Sequence, residues 1–354
     1  MKKLLKWLSV PVILLVIYMA GPKPPTPVLN GNLPRIDNNL LALENTINQE
    51  EAATEGIKKD NQARIVWYDS TSREKTPYSI VYLHGFSASQ GEGSPVHRNL
   101  AHKFGCNLYL SRLADHGIEE DSIFKELTPE SLLASAKKAV AIGKQLGDSV
   151  IVVGTSTGGA LGIYLAAENP EIKALVCYSP IIDFYDQNTF IINKPWGRSI
   201  MRMIVGSDFL GSEKSPLEEQ YWSTKYMIDG VITLKSFISE CMVAKTFKKV
   251  TCPFFLGYYY KNDTLQDDVV SIPAMLDMYD QLGTPKAQKV KVPFPESGDH
   301  VIASYITSND YKGVERETIR FMKDIVGLPL PKVNLQNPDT ITHQQDLIHK
   351  KSNP

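Results

Sequence analysis

The pattern with the clearest chemical meaning is a G-x-S-x-G arrangement at residues 154–158, centred on Ser156. It lies between an apolar run at 150–153 and an alanine-rich stretch at 159–167, which predict a strand followed by a helix. A sharp strand-to-helix turn of this kind strains the backbone of the serine and requires small neighbours, which the two glycines supply. The helix N-terminus would favour a developing negative charge. We therefore interpret Ser156 as a nucleophile; the alternative is a glycine-rich turn without chemistry.

A serine hydroxyl is a poor nucleophile unless a base accepts its proton. His300 lies in the run Gly-Asp-His-Val at 298–301, just after the last predicted strand at 289–294. A loop there would bring an imidazole to the C-terminal edge of the sheet, beside Ser156. The remaining histidines lie before the nucleophile or in the polar C-terminal segment: His84, His97, His102, His116, His343 and His349. We predict His300 as the base; the alternative is an exposed loop histidine.

The base needs a carboxylate that holds its tautomer and stabilises the imidazolium. The chain order Ser, Asp, His restricts the search to residues between 156 and 300. Three aspartates follow the predicted strand at 253–260, namely Asp263, Asp267 and Asp268. We predict Asp267, which stands two residues before a Val-Val pair, and Asp263 and Asp268 remain alternatives.

The segment His84-Gly85-Phe86-Ser87 follows a second strongly apolar strand. Its backbone can supply one N–H group to an oxyanion, from Phe86, while Thr157 supplies the other. We interpret His84 as a structural histidine beneath this oxyanion hole rather than as a catalytic group.

The elements that must position these residues alternate between strand and helix. Strands are predicted at 64–68, 79–83, 106–110, 150–153, 174–178, 253–260 and 289–294. Helices are predicted at 95–104, 129–146, 159–167, 272–282 and 313–325. Such alternation predicts an α/β fold, in which a mostly parallel sheet is flanked by helices. Residues 181–249 interrupt the alternation, are mostly helical in pattern, and are predicted to form an insert over one end of the sheet.

Four motifs in this order, HGFS, GTSTGG, D-x-V-V and GDHV, resemble the α/β-hydrolase superfamily across residues 64–326. The nearer likeness is to its carboxylesterase, monoacylglycerol lipase and serine aminopeptidase branch, which often carries an LPGHG-like loop where this chain has residues 112–117. The resemblance implies that the insert 181–249 is a cap that shapes the substrate pocket. Its aromatic residues, Trp196, Trp222 and Phe237, either line that pocket or pack the core of the cap.

These residues predict a serine hydrolase that cleaves carboxylic esters through an acyl-enzyme, as in carboxylesterases and lipases. No metal or organic cofactor is expected. A serine aminopeptidase or other amidase is the alternative, because the bond that is cleaved depends on the cap. An acidic pocket for a free amino terminus would favour an aminopeptidase, and the cap contains one pair of adjacent acids, Glu218 and Glu219. A non-catalytic binding protein on the same scaffold is a remote alternative. The expected ligand is a small acyl ester or peptide, and no protein partner is predicted.

Length, charge and cysteine content limit the domain number, the class of partner and the metal sites that the chain can have. The chain has 354 residues, 43% of them hydrophobic and 22% charged, and a formal net charge of −1. This suits one large domain with an insert and points away from nucleic acid as a partner. Four cysteines show no zinc-site spacing, and Cys241 could pair with Cys252 in an oxidising compartment.

The N-terminus is the exception to this ordinary composition. Three lysines within residues 2–6 precede an apolar run at 7–20. The pattern predicts an exported protein held to the membrane by an uncleaved anchor at 1–21; a cleaved signal and a hydrophobic helix of a cytosolic protein are the alternatives. A Pro-rich linker is predicted at 22–35, and a polar C-terminal tail at 327–354.

Overall fold

A computed structural model describes residues 2–331 of the chain, and the side chains of residues 11–331. The described strands are β1 Arg64–Val66, β2 Thr76–Leu83, β3 Asn107–Leu110, β4 Gly147–Thr155, β5 Ala174–Tyr178, β6 Phe209–Gly211, β7 Lys225–Met227, β8 Phe254–Tyr258, β9 Tyr260–Asn262, β10 Leu265–Gln266 and β11 Lys289–Pro293. The described α-helices are α1 Lys2–Met19, α2 Leu40–Ala53, α3 Val96–Phe104, α4 Pro129–Leu146, α5 Thr157–Glu168, α6 Gly197–Val205, α7 Pro216–Tyr221, α8 Ile228–Cys241, α9 Ala244–Phe247, α10 Ile272–Gln281 and α11 Tyr311–Asp324.

Seven strands form the central sheet, in the order β1-β3-β2-β4-β5-β8-β11. All neighbouring pairs are parallel except β1 with β3. The predicted α/β fold with a mostly parallel sheet is therefore confirmed. Since the carboxyl ends of parallel strands meet at one edge, the loops that follow β2, β4, β8 and β11 share that edge.

Helices cover both faces of the sheet and bury its apolar strands. Residues 150–153 of β4 are at most 2% exposed, as expected for a strand covered on two sides. The helix α4 begins with a capping box between Thr128 and Ser131, and Pro129 occupies its first position. The largest buried hydrophobic cluster includes residues of α4, α5, α8 and α10, and a second one includes residues of α3 and α11.

The segment between β5 and β8 contains the helices α6 to α9, in agreement with its helical pattern. It also contains β6 and β7, which pair antiparallel in a small sheet that the sequence pattern does not predict. Of the three aromatic residues named in the insert, Phe237 and Trp222 are buried, whereas Trp196 is 38% exposed. Phe237 packs edge-on against Tyr164 of α5, so at least this aromatic residue stabilises the contact between insert and sheet domain. The domain boundaries, including a cap at 181–249, stay a prediction.

The N-terminal segment is helical over Lys2–Met19. No helix within residues 2–331 combines the length and the apolar character that crossing a membrane requires. Export stays a prediction. The predicted linker at 22–35 contains no helix or strand and contacts the insert: the Pro22 carbonyl accepts a hydrogen bond from Trp196 N. Of the predicted tail, residues 332–354 lie outside the described residues, His343 and His349 among them.

The cysteines decide the open question of a Cys241–Cys252 disulfide. All four are buried free thiols, and Cys241 and Cys252 are not paired with each other. Burial raises the pKa of both thiols to about 12, which suppresses the reactive thiolate.

Candidate active site

Ser156 occupies the turn between β4 and α5. Its backbone has φ 51° and ψ −113°, a strained region for a residue with a side chain. Two hydrogen bonds fix this conformation: Ser156 N donates to Tyr178 O at 2.9 Å, and Ser156 O accepts from Ile181 N at 3.1 Å. The residue is 6% exposed. A strained serine held by its neighbours at a sheet edge is the local geometry that the G-x-S-x-G pattern predicts.

The glycines of the pattern are needed because other backbone atoms approach them closely. A Cβ atom on Gly158 would lie 1.9 Å from the Leu83 carbonyl oxygen, which belongs to β2. One on Gly154 would lie 2.5 Å from the carbonyl carbon and oxygen of Gly158. Glycine at 158 therefore allows the start of α5 to pack directly against the end of β2.

Asp267 and His300 meet although 33 residues separate them. His300 Nδ1 lies 2.6 Å from Asp267 Oδ2. Asp267 is fully buried in the loop after β8, and its Oδ1 accepts hydrogen bonds from Val269 N at 3.0 Å and Val270 N at 3.1 Å. The Val-Val pair thus orients the carboxylate through its backbone. Donation from Nδ1 leaves His300 Nε2 as the proton acceptor of the ring.

The other two candidate acids do not reach His300. Asp263 is exposed and accepts a hydrogen bond from the Tyr260 hydroxyl at 2.8 Å. Asp268 is also exposed. The long segment before the Val-Val pair forms the β9–β10 hairpin, which lies between β8 and Asp267. The structure therefore brings Asp267, and neither alternative, to the histidine.

The charge of each partner stabilises the other in its ionised form. Burial alone would lower the pKa of His300, but the charge and hydrogen bond of Asp267, with smaller contributions from Glu92 and Asp299, raise it to about 8. Burial alone would raise the pKa of Asp267, yet the charge and hydrogen bond of His300 bring it below its usual value. Asp267 therefore stays ionised at neutral pH, and His300 is poised to hold a proton.

The two predicted oxyanion donors lie at the ends of adjacent strands. Phe86 follows β2, in a turn closed by a hydrogen bond from Ala88 N to Gly85 O at 3.3 Å. Thr157 is the first residue of α5, where an N–H group has no acceptor within its own helix. A Cβ atom on Gly85 would lie 3.1 Å from Ser156 Cβ, so the turn with Phe86 runs directly beside the serine.

His84 is fully buried and joins two loops. Its Nε2 accepts a hydrogen bond from Leu113 N at 3.0 Å, so its Nδ1 is the donor to Gly85 O at 2.9 Å. Burial lowers the pKa of His84 to about 4, which keeps the ring neutral, and the hydrogen bond from Leu113 N fixes its tautomer. These contacts fit the interpretation of a structural histidine beneath the turn.

Sequence reasoning missed Glu92 and Tyr82. Glu92 is 2% exposed in a 3₁₀ helix, Gln90–Gly93, and its carboxyl group contacts the turn before Phe86. Tyr82 is fully buried at the end of β2. The sequence feature that could have pointed to Glu92 is Gly-Glu-Gly at 91–93, an acid between two glycines in the loop that follows HGFS.

Sequence likeness to known proteins covers only part of the chain. No family model matches the chain. A thermostable monoacylglycerol lipase from Bacillus sp. (strain H-257) is 29% identical over 110 residues, which is 31% of this chain and 43% of the lipase. The chain therefore spans less than half the length of this curated relative.

Two solved structures extend the likeness over most of the chain. One, from the metagenome-derived lipolytic enzymes LipS and LipT, has a TM-score of 0.61 at 16% identity and covers 76% of this chain and 99% of its own. The other, a monoacylglycerol lipase from Paleococcus ferrophilus, has a TM-score of 0.53 at 14% identity and covers 71% and 96%. At these identities the likeness establishes the fold: the chain has the α/β-hydrolase fold, as the sequence motifs predicted.

Proposed function

We propose that this chain, with its α/β-hydrolase fold, is a serine hydrolase that cleaves carboxylic esters through an acyl-enzyme. The observation that carries the proposal is the Asp267–His300 contact at the sheet edge where Ser156 sits in a strained turn. A buried carboxylate bonded to a histidine, on the same edge as a serine in a strained turn, fits the arrangement that nucleophilic acyl transfer requires.

In this mechanism Ser156 Oγ attacks the acyl carbonyl carbon while His300 Nε2 takes its proton. The carbonyl oxygen becomes an oxyanion, which the N–H groups of Phe86 and Thr157 stabilise. His300 then gives the proton to the leaving alcohol, the C–O bond breaks, and an acyl-Ser156 ester remains. A water molecule, deprotonated by His300, attacks that ester and releases the carboxylic acid and the free serine. Asp267 stabilises the imidazolium in both halves of the reaction.

The surroundings of Phe86 support an acyl group over a charged peptide terminus. Its ring packs edge-on against Tyr226 of β7, with ring centroids 5.3 Å apart. A buried cluster from the insert lies against these two rings and consists of Ile192, Val231 and Ile232. An apolar wall beside the oxyanion turn favours a hydrocarbon chain.

Glu218, one of the two adjacent acids of the insert, is bonded within its own helix. Glu218 accepts hydrogen bonds from Ser215 N at 3.0 Å and from the Ser215 hydroxyl at 2.7 Å, which caps α7. Lys214 also pairs with Glu218, at 3.3 Å. This carboxylate therefore stabilises a helix start, which weakens the case for its recognising a substrate amine.

The test compares p-nitrophenyl esters of two to twelve acyl carbons with p-nitroanilides of single amino acids. We expect turnover of the esters and a kcat/KM for the best ester at least about 100-fold above that for any anilide. Preference for the anilides would favour an aminopeptidase. Absence of turnover across the whole panel, with no labelling by a fluorophosphonate, would favour a binding protein.

A further inference from the structure

Glu92 places a carboxyl group against Gly85, in the turn that contains Phe86. Its Oε2 accepts hydrogen bonds from Gly85 N at 2.5 Å and from the Tyr82 hydroxyl at 3.3 Å. We propose that Glu92 is a positioning residue that holds the Gly85–Phe86 turn against Ser156, so that the Phe86 N–H group faces the forming oxyanion. This inference rests on the proposed serine hydrolase function and adds a residue to its machinery.

A chain of hydrogen bonds joins the nucleophile strand to the oxyanion turn. The Tyr82 hydroxyl lies 3.0 Å from Thr155 Oγ1, and Thr155 immediately precedes Ser156. Tyr82 in turn bonds to Glu92, which bonds to Gly85, the residue immediately before Phe86. Tyr82 and Thr155 are fully buried, so these bonds are shielded from competing water. This series of hydrogen bonds fixes the distance between the Thr155–Ser156 segment and the Gly85–Phe86 turn, the two backbone segments that the mechanism uses.

Glu92 and Ser156 approach the same backbone atom. A Cβ atom on Gly85 would lie 2.5 Å from Glu92 Oε1 and 3.1 Å from Ser156 Cβ. Gly85 is thus enclosed between the acid and the nucleophile. A side chain at position 92 that could not accept the Gly85 N–H would leave a buried donor unpaired, and the turn would shift to find a partner.

The protonation of Glu92 suits a position beside an oxyanion. Burial raises its pKa to about 8, although the Gly85 hydrogen bond, the charge of His300 and the Tyr82 hydroxyl each lower it in part, while Asp299 raises it. At neutral pH the group is mostly a neutral acid, which accepts from Gly85 without opposing a developing negative charge. When Glu92 ionises, its charge favours the protonated form of His300.

The test uses Glu92→Leu, which removes the acceptor, and Glu92→Gln, which keeps an acceptor and removes the ionisable group. With p-nitrophenyl butyrate we expect the Leu variant to lose about 10- to 100-fold in kcat with KM within about twofold, because only the transition state uses the oxyanion donor. We expect the Gln variant to keep kcat within about threefold. Its acid limb of kcat/KM should move slightly to lower pH, since the fraction of Glu92 that is ionised near pH 8 no longer stabilises protonated His300.

Glu296→Gln is the matched control. Glu296 also lies near His300 in sequence, but it is 70% exposed and pairs with Lys261 at the surface, so its loss should change neither kcat nor the pH profile. A folded Leu variant with wild-type kcat would overturn the inference, as would a Gln variant as inactive as the Leu variant. If the Leu variant does not fold, a folded Gln variant that loses about 10-fold or more in kcat would overturn it, because glutamine keeps the acceptor for the Gly85 N–H group.

The same measurements separate this inference from the proposed function. A wild-type protein that neither hydrolyses esters nor reacts with a fluorophosphonate contradicts the proposed function, and the role of Glu92 falls with it. An active wild type whose kcat is insensitive to Glu92→Leu contradicts the role of Glu92 alone.

Discussion

Asp267 Oδ2 lies 2.6 Å from His300 Nδ1, and the backbone N–H groups of Val269 and Val270 hold the other carboxylate oxygen. The contact fixes the imidazole tautomer in which Nε2 accepts a proton. We expect Asp267→Asn to lower kcat/KM for p-nitrophenyl butyrate by about 10²- to 10⁴-fold, because the amide favours the wrong tautomer and carries no charge. Steady-state kinetics at pH 8 measures this, with circular dichroism to verify folding.

Asp263→Asn and Asp268→Asn are controls of identical chemistry in the same segment. Both side chains are exposed and neither contacts His300, so we expect kcat/KM within about twofold of wild type. If either variant loses much of its activity while Asp267→Asn stays active, the acid is Asp263 or Asp268 and not Asp267.

The pKa of His300, raised to about 8, sets the acid side of the pH profile. The base works only when Nε2 is unprotonated, so kcat/KM should rise with pH and level off above about pH 8. Without the negative charge of Asp267 this pKa should fall, and the residual activity of Asp267→Asn should level off at lower pH. A wild-type acid limb centred near pH 5 would contradict the raised pKa.

Gly158 permits the contact between α5 and the end of β2. An added Cβ atom would lie 1.9 Å from the Leu83 carbonyl oxygen, a backbone atom that moves only with its strand. We expect Gly158→Ala to lower the free energy of unfolding by about 3 kcal/mol and to abolish ester hydrolysis. Urea unfolding followed by fluorescence measures the first effect.

Gly206→Ala is the comparison for that variant. Gly206 has φ 72° and no neighbouring atom within 4 Å of an added Cβ, so only backbone strain opposes alanine there. We expect a cost of about 1 kcal/mol and unchanged kcat. Equal destabilisation at both positions would show that the close approach at 158 is not what requires glycine.

The sheet and the positions of the serine and histidine could be predicted because local patterns determine them. Apolar runs of four or five residues identify strands buried on both faces, and parallel strands send their following loops to one edge. Ser156 stands directly after such a strand, and His300 lies in the loop that follows the edge strand β11, so their places follow from the order of the elements.

Other features depend on contacts between distant segments and could not be read in this way. Three aspartates share one loop, and which of them meets His300 is decided by the β9–β10 hairpin. Glu92 looks like a surface acid in sequence, and its burial arises because the 3₁₀ helix Gln90–Gly93 folds back under β2. The small sheet of β6 and β7 has strands of three residues, too short for periodicity to be recognised.

The central claim is that Ser156 is the nucleophile, and a fluorophosphonate probe tests it most directly because it forms a covalent bond to an activated serine. We expect mass spectrometry of the labelled, digested protein to find the adduct on the peptide that contains Ser156. Ser156→Ala should remain folded, take up no label and lose ester hydrolysis by at least about 10³-fold. An adduct on another serine, or labelling and turnover that survive Ser156→Ala, would contradict the account.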